Sequence, residues 1–352
     1  MAIRALLRWA ATIALAASTS AAAAETAALL PVRRAARRPE VEQQVERALA
    51  VALAARVELA DADRTRDALR RRRLRSPDGA DAEALRAVAA ELEARWLIAA
   101  AVHEAPAGPA PELTLSARLY DGASGRLVWT GFVGANGLDG ERLLGIGRLD
   151  TYDQLAEHAV AELLAPLATG GTGLEPPPAV AGAERLGTVA IVPFTATLAT
   201  DGLEVSLTAT ESLREILARH GARLAEPACV RTGLRQAGGD RWGELTAEAR
   251  EAIRVACGAD HLLTGSIERW EIAGSGTAPE PVLAVAIRLL DATEGRILWT
   301  GSLEGGGWDR PGPFGLHRVY ARGEWLERLL ERIIRNLLAA DWQTTAAMES
   351  SS

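Results

Sequence analysis

Leu283, Val285, Ile287 and Leu289 alternate with Ala284, Ala286 and Arg288, the period of a strand that buries one face. After Asp291-Ala-Thr-Glu-Gly295, Ile297, Trp299 and Leu303 again fall on one side, so Leu283–Leu290 and Ile297–Leu303 predict a hairpin closed through Gly295. The same pattern stands 170 positions earlier: Leu113–Phe132 aligns without a gap to Leu283–Ser302, and nine of the 20 pairs are identical. Those pairs are Leu113/Leu283, Arg118/Arg288, Leu119/Leu289, Asp121/Asp291, Gly125/Gly295, Arg126/Arg296, Trp129/Trp299, Thr130/Thr300 and Gly131/Gly301. The chain therefore reads as a duplicated domain.

The flanking patterns repeat in the same order. Ala27–Val32 and Val189–Phe194 are short strand candidates, each with a proline (Pro31, Pro193) that cannot donate to a ladder and so marks the end of the strand. Amphipathic helices are predicted over Glu40–Leu53 and Leu203–His220, then strand-like steps at Val57–Ala60 and Ala222–Leu224. Second helices follow at Ala82–Ala94 and Leu245–Ala256, strands at Trp96–Val102 and His261–Trp270, then the hairpins. Closing helices are marked by Leu155, Ala159, Leu163, Leu167 and by Leu326, Leu330, Ile334, Leu338. Each copy is thus predicted as β-α-β-α-β-β-β-α, an α/β fold with a mixed sheet flanked by helices. The expected organisation is a leader over 1–24, a first domain over 25–168, a Gly/Pro-rich linker over 169–185, a second domain over 186–341 and a disordered tail over 342–352.

The leader reads as a secretory signal: Arg4 and Arg8, an apolar Leu6–Ala17 segment and an Ala22-Ala-Ala24 cleavage site, with no cysteine for lipidation. Its removal takes the net charge from −7 to −9, since Arg4 and Arg8 leave and no acid does. An acidic exported chain is a poor nucleic-acid binder, and no later run approaches about 18 apolar residues, so a soluble periplasmic or secreted protein is expected. All 39 basic residues are arginine. The lack of lysine excludes a P-loop, a Schiff base and kinase chemistry.

No constellation carries a reaction, a cofactor or a metal. The histidines His103, His158, His220, His261 and His317 lack zinc spacing, and adjacent Asp260 and His261 point to opposite faces of a strand. Asp121/Asp291 with Gly125/Gly295 have the spacing of a turn, and Trp129 and Trp299 read as core. Cys229 and Cys257 are an even pair in an oxidising compartment, which favours a disulfide. Against it, one follows the second strand and the other precedes the third, so parallel strands would put the thiols on opposite edges of the sheet. Two stretches are candidate partner surfaces. Thr264-Gly265-Ser266 is a small-residue cluster in a strand, also readable as packing. Arg70, Arg71, Arg72 and Arg73 form the densest charge, suited to an anionic lipid, polymer or protein patch and also readable as a solvated helix end.

Val189–Phe194 ending in Pro-Phe, the amphipathic helix, Cys257-Gly-Ala-Asp-His-Leu-Leu-Thr-Gly-Ser-Ile267 and the strand–Asp-x-x-x-Gly–strand unit ending in Leu298-Trp299 occur in that order. This order resembles the superfamily of the TolB amino-terminal domain, the periplasmic domain of the curli channel subunit CsgG, FlgO-type flagellar proteins and activators of penicillin-binding proteins. The first copy is similar more loosely, with Ala99-Ala-Ala101 for Thr264-Gly-Ser266 and Val32 for Phe194. The resemblance implies a non-enzymatic envelope module that binds another protein, a scaffold or adaptor in envelope assembly, secretion or cell-wall synthesis. Self-association stays open. The alternative is a small-molecule or glycan-binding module using a groove between the copies.

Overall fold

The computed structural model describes residues 25–341 apart from 35–37, 75–79, 106–109, 140, 142–146, 169–172, 179–181, 197, 199–201, 239–244, 275–279 and 309–317. The expected leader (1–24) and tail (342–352) lie outside the described residues. The first half runs β1 (Thr26–Leu29), β2 (Arg33–Arg34), α1 (Pro39–Ala54), β3 (Glu58–Leu59), α2 (Ala62–Arg71), α3 (Ala82–Leu92), β4 (Trp96–Glu104), β5 (Glu112–Asp121), β6 (Leu127–Asn136) and α4 (Tyr152–Leu164). The second repeats the order as β7 (Thr188–Ile191), β8 (Thr195–Ala196), α5 (Gly202–Arg219), β9 (Arg223–Leu224), α6 (Pro227–Gln236), α7 (Ala247–Cys257), β10 (His261–Ala273), β11 (Glu280–Asp291), β12 (Ile297–Gly306) and α8 (Arg322–Ala339).

The sheets have one topology. Their strand orders are β3-β1-β4-β5-β6 and β9-β7-β10-β11-β12, with β2 beside β4 and β8 beside β10. The first three strands of each are parallel and the last three antiparallel, the mixed α/β sheet expected from the sequence. Pro31 and Pro193 do end β1 and β7, yet the chain rejoins the same neighbour as β2 and β8.

Each half also carries a helix that the hydrophobic pattern does not reveal, α2 and α6. Only Thr65, Ala68 and Leu69 of α2, and Val230 and Gly233 of α6, are buried, too few for a visible apolar stripe. Their starts follow ordinary rules: Asp61 caps α2 by accepting from Asp63 N and Arg64 N at 3.0 and 2.9 Å, and Pro227 opens α6.

One sheet face holds α1 and α4 through Val45, Leu49, Leu155 and Leu163 against Ile98, Leu115, Leu119 and Trp129. The second half does the same with α5 and α8. On the opposite face α2 and α3, or α6 and α7, cover the parallel end of the sheet. Trp129 and Trp299 fold over the glycine two residues on. A Cβ on Gly131 would lie 2.5 Å from Trp129 Cζ2, and one on Gly301 would lie 2.8 Å from Trp299 Cζ2, which accounts for the repeated Trp-Thr-Gly.

The helix pairs are fastened differently. Arg71 of α2 and Arg72 just after it pair with Glu91 of α3, whereas Cys229 of α6 and Cys257 of α7 form a disulfide with Cα atoms 5.2 Å apart. The topological objection to that bond fails because β9 is only two residues long. Leu224 pairs with Val189, which pairs with His261, so β9 ends at the level where β10 begins and both cysteines sit at the same edge.

Candidate partner-binding surface

The Thr264-Gly265-Ser266 cluster divides between two faces of β10. Gly265 faces the core, where a Cβ would stand 2.7 Å from Phe194 Cδ1, so its smallness admits that ring. In the first half the equivalent pair is Ala100 with Val32, both buried: the smaller ring-side residue permits the extra methyl. Thr264 and Ser266 lie half-buried on the opposite face. Arg70–Arg73 stand at the carboxyl end of α2, where cations suit the helix dipole, and they meet carboxylates: Arg70 with Asp67 at 3.4 Å, Arg71 and Arg72 with Glu91. Two carboxylates thus meet three of the four arginines, and the cluster sits in the other half of the chain from Thr264 and Ser266.

Strand register places Thr264 and Ser266 in a larger surface. Three cross-strand rows run over the second sheet: Thr264–Arg288–Thr300, Ser266–Ala286–Ser302 and Arg269–Ala284–Glu304. Their counterparts in the first sheet are Ala99–Arg118–Thr130, Ala101–Ser116–Phe132 and Glu104–Thr114–Gly134. The two sets have opposite environments. Thr114, Ser116, Arg118, Thr130 and Phe132 are all buried, whereas Arg269, Arg288, Thr300, Ser302 and Glu304 are exposed.

The cover over the first set comes from the second half of the chain, as α5 and α8 lie across β4, β5 and β6. Arg118 meets Glu211 of α5 in a two-pronged pair, Nε donating to Oε2 at 3.0 Å and Nη2 donating to Oε1, and Arg214 Nε stands 3.6 Å from the same carboxylate. The side chains of Arg118, Glu211 and Arg214 are at most 6% exposed, so this is a desolvated ion pair. At the other end Gly134 lets the start of α8 approach: a Cβ there would lie 2.6 Å from the Gly323 carbonyl carbon. Glu112 accepts from the Arg322 amide at 2.9 Å, an anion at a helix amino terminus. The space assigned to a ligand groove between the copies is, at these rows, a packed junction.

The second set has no such cover among the described residues. Arg288 makes no ion pair among them, and Arg269 bridges to Glu304 at 3.0 Å across Ala284. The result is a shallow trough with an alanine floor, hydroxyls at Thr264, Ser266, Thr300 and Ser302, and one unpaired guanidinium. Reading the sequence alone picks out only Thr264 and Ser266 of it. The signal was present in the aligned hairpins, where Arg118 and Arg288 are identical while Phe132 becomes Ser302 and Gly134 becomes Glu304.

Elsewhere, Asp260 accepts from the Thr188 amide and His261 Nδ1 donates to Leu186 O, so the two do not form a pair. Asp121 and Asp291 accept from the amides two and three residues on, as turn residues do, and the Ser124 hydroxyl bond draws the Asp121 carboxyl below its ordinary range. Among the described residues no group of three or more His, Cys, Asp or Glu is placed to hold a metal, and no helix is long and apolar enough to cross a membrane. Between α5 and α8, Glu215, Glu327 and Glu331 surround Arg219, and burial pushes the Glu215 carboxyl up to about 8.

No family model matches the chain, and no curated protein matches it. Solved structures similar to part of it include the PelC dodecamer from Paraburkholderia phytofirmans, at 21% identity over 45% of this chain and 89% of that one, TM-score 0.27. Lipoprotein GNA1162 from Neisseria meningitidis matches at 17% identity over 44% of this chain and 99% of that one, TM-score 0.31. The LpoB C-terminal domain from Escherichia coli matches at 21% identity over 34% of this chain and 81% of that one, TM-score 0.25.

Proposed function

We propose that this chain is an exported, non-catalytic protein of the cell envelope that binds another protein, acting as a scaffold or adaptor in envelope assembly, secretion or cell-wall synthesis. The observation that carries the reading is the pair of aligned sheet faces, one packed under helices and the other bare around Arg288. A surface whose twin is an interface is suited to be one itself. The signal-like leader and the Cys229–Cys257 bond fit an oxidising compartment outside the cytosol. In this reading the open face is the docking site, and the Arg70–Arg73 cluster is a solvated helix end.

The test is photo-crosslinking in intact cells, with the reactive residue at Ser302 in one strain and at Arg70 in another. A recurrent protein adduct from position 302 supports the reading. Adducts from position 70 alone would move the docking site to α2, and adducts from neither position would refute protein binding by these surfaces.

A further inference from the structure

We propose that the open face of the second sheet receives a helix of a partner protein other than a second copy of this chain, a helix that sets a carboxylate on Arg288 among small side chains. This rests on the protein-binding reading above and names the chemistry of the partner. The model for the contact lies within the molecule. On the equivalent rows of the first sheet, α5 presents Thr208, Glu211 and Ser212, all buried, and Glu211 grips Arg118. Arg288 occupies the position of Arg118, with Ala286 and Ala284 at the places of Ser116 and Thr114. The trough floor is thus lower than the one that already seats a helix. The Thr264 and Thr300 hydroxyls stand beside Arg288 in its row and can donate to the same carboxylate.

A second copy does not meet these requirements. The helices it would offer are α1 and α4, the counterparts of α5 and α8. Aligning buried Val41, Val45, Leu49 and Leu53 with Val205, Ala209, Leu213 and Leu217 puts Arg47 where Glu211 stands. Arg47 is exposed, and over Arg288 it would oppose like charge with like. Aligning Leu155, Ala159 and Leu163 with Leu326, Leu330 and Ile334 puts Tyr152 where Gly323 makes its close approach. The receiving face changes as well, with Glu304 in place of Gly134. Stacking of the first sheet on the second half's helices therefore stops after one step. The free end is built for a different protein, one with an acidic residue at the matching turn of its helix.

The experiment places a photo-crosslinker at Ser266 or Ser302, on either side of the alanine floor, in the full-length exported chain in cells and sequences the crosslinked peptides. Captured sites from the two positions should fall three, four or seven residues apart in one foreign segment with an Asp or Glu within a turn. Arg288→Glu should cut adduct yield about tenfold or more, and reversing that partner carboxylate to Arg should restore it. Ala286→Tyr, which fills the trough without changing charge, should also abolish capture. Because Arg288 is exposed and unpaired, the variants keep the fold, checked by circular dichroism. Captured peptides from residues 39–54 or 152–164 of this chain would put a second copy on the face and overturn the proposal. So would sites two residues apart, the spacing of a strand, or adducts indifferent to Arg288→Glu. Loss of these outcomes while position 302 still captures a protein would leave the adaptor reading standing and the helix proposal refuted.

Discussion

Gly265→Ala tests whether the two halves solve one packing problem in two ways. The added Cβ would stand 2.7 Å from two Phe194 ring atoms and closer still to a third, inside any separation that real Cβ atoms keep. The ring has little room to retreat. Phe194 is fully buried, its amide donates to Thr210 Oγ1 at 3.1 Å, and its carbonyl accepts from Ser206 Oγ. The cost is that of overpacking, about 1–3 kcal/mol. Phe194→Val alone leaves a void and costs about 2–3 kcal/mol, somewhat under a full truncation. Made together, the two changes recreate the Val32–Ala100 pair of the first half, so the double variant should recover about 1–2 kcal/mol relative to the sum of the singles. Guanidinium unfolding of the four proteins, followed by tryptophan fluorescence and circular dichroism, reads the midpoints at unchanged slope. If the two losses simply add, to within about 0.5 kcal/mol, the residues are not coupled and the argument from the twin half fails.

Equivalent arginines should differ in worth. Glu211→Ala, which strands Arg118 and Arg214 in the junction, should cost about 3–5 kcal/mol and speed proteolysis between the halves, whereas Arg288→Ala should shift stability by no more than about 0.5 kcal/mol. Equal effects by chemical denaturation would contradict the difference in burial. Replacing Cys229 and Cys257 by serine frees a 28-residue span and should lower stability by about 3 kcal/mol, read as a shifted midpoint; no shift would mean that α6 and α7 are held by packing alone. Glu215 is protonated in the folded chain up to about pH 8 and ionised in the unfolded chain above about 4.5. The unfolded state therefore binds fewer protons in that window, and stability should fall as pH rises through it, by at most about 1.4 kcal/mol per unit. Glu215→Gln should flatten the slope; an unchanged pH profile would locate the proton elsewhere.

The hairpin strands and their pairing were legible because alternation at Leu283–Leu289 and its echo at Leu113–Leu119 are strong, local and repeated, whereas the short β2 and β8 left no such pattern. The turns were legible because Asp and Gly do specific work there. Helices α2 and α6 were not, since a short helix resting on a few small residues leaves no stripe in a run such as Ala62–Arg71. For the disulfide, the even cysteine pair argues one way and strand direction the other, and strand length, which decides it, is not written in a two-residue step. The fate of the polar strand face was the deepest omission. Ser116 and Ala286 follow the same alternation in hairpins of the same register, and only the arrival of α5 and α8 from a distant part of the chain makes one interior and leaves the other as surface. Period-two patterning reports which side chains share a face; it is silent on who else will sit there.

The unlike fastenings of α2 to α3 and of α6 to α7 make the two halves answer to different chemistry. Screening by salt loosens the grip of Arg71 and Arg72 on Glu91 and leaves a covalent bond untouched. A thiol reductant opens Cys229–Cys257 and leaves the arginines as they were. One chain thus carries two helix pairs with separate dials, ionic strength for α2 and α3 and redox poise for α6 and α7, and an experimenter can relax either pair while its twin serves as the internal control.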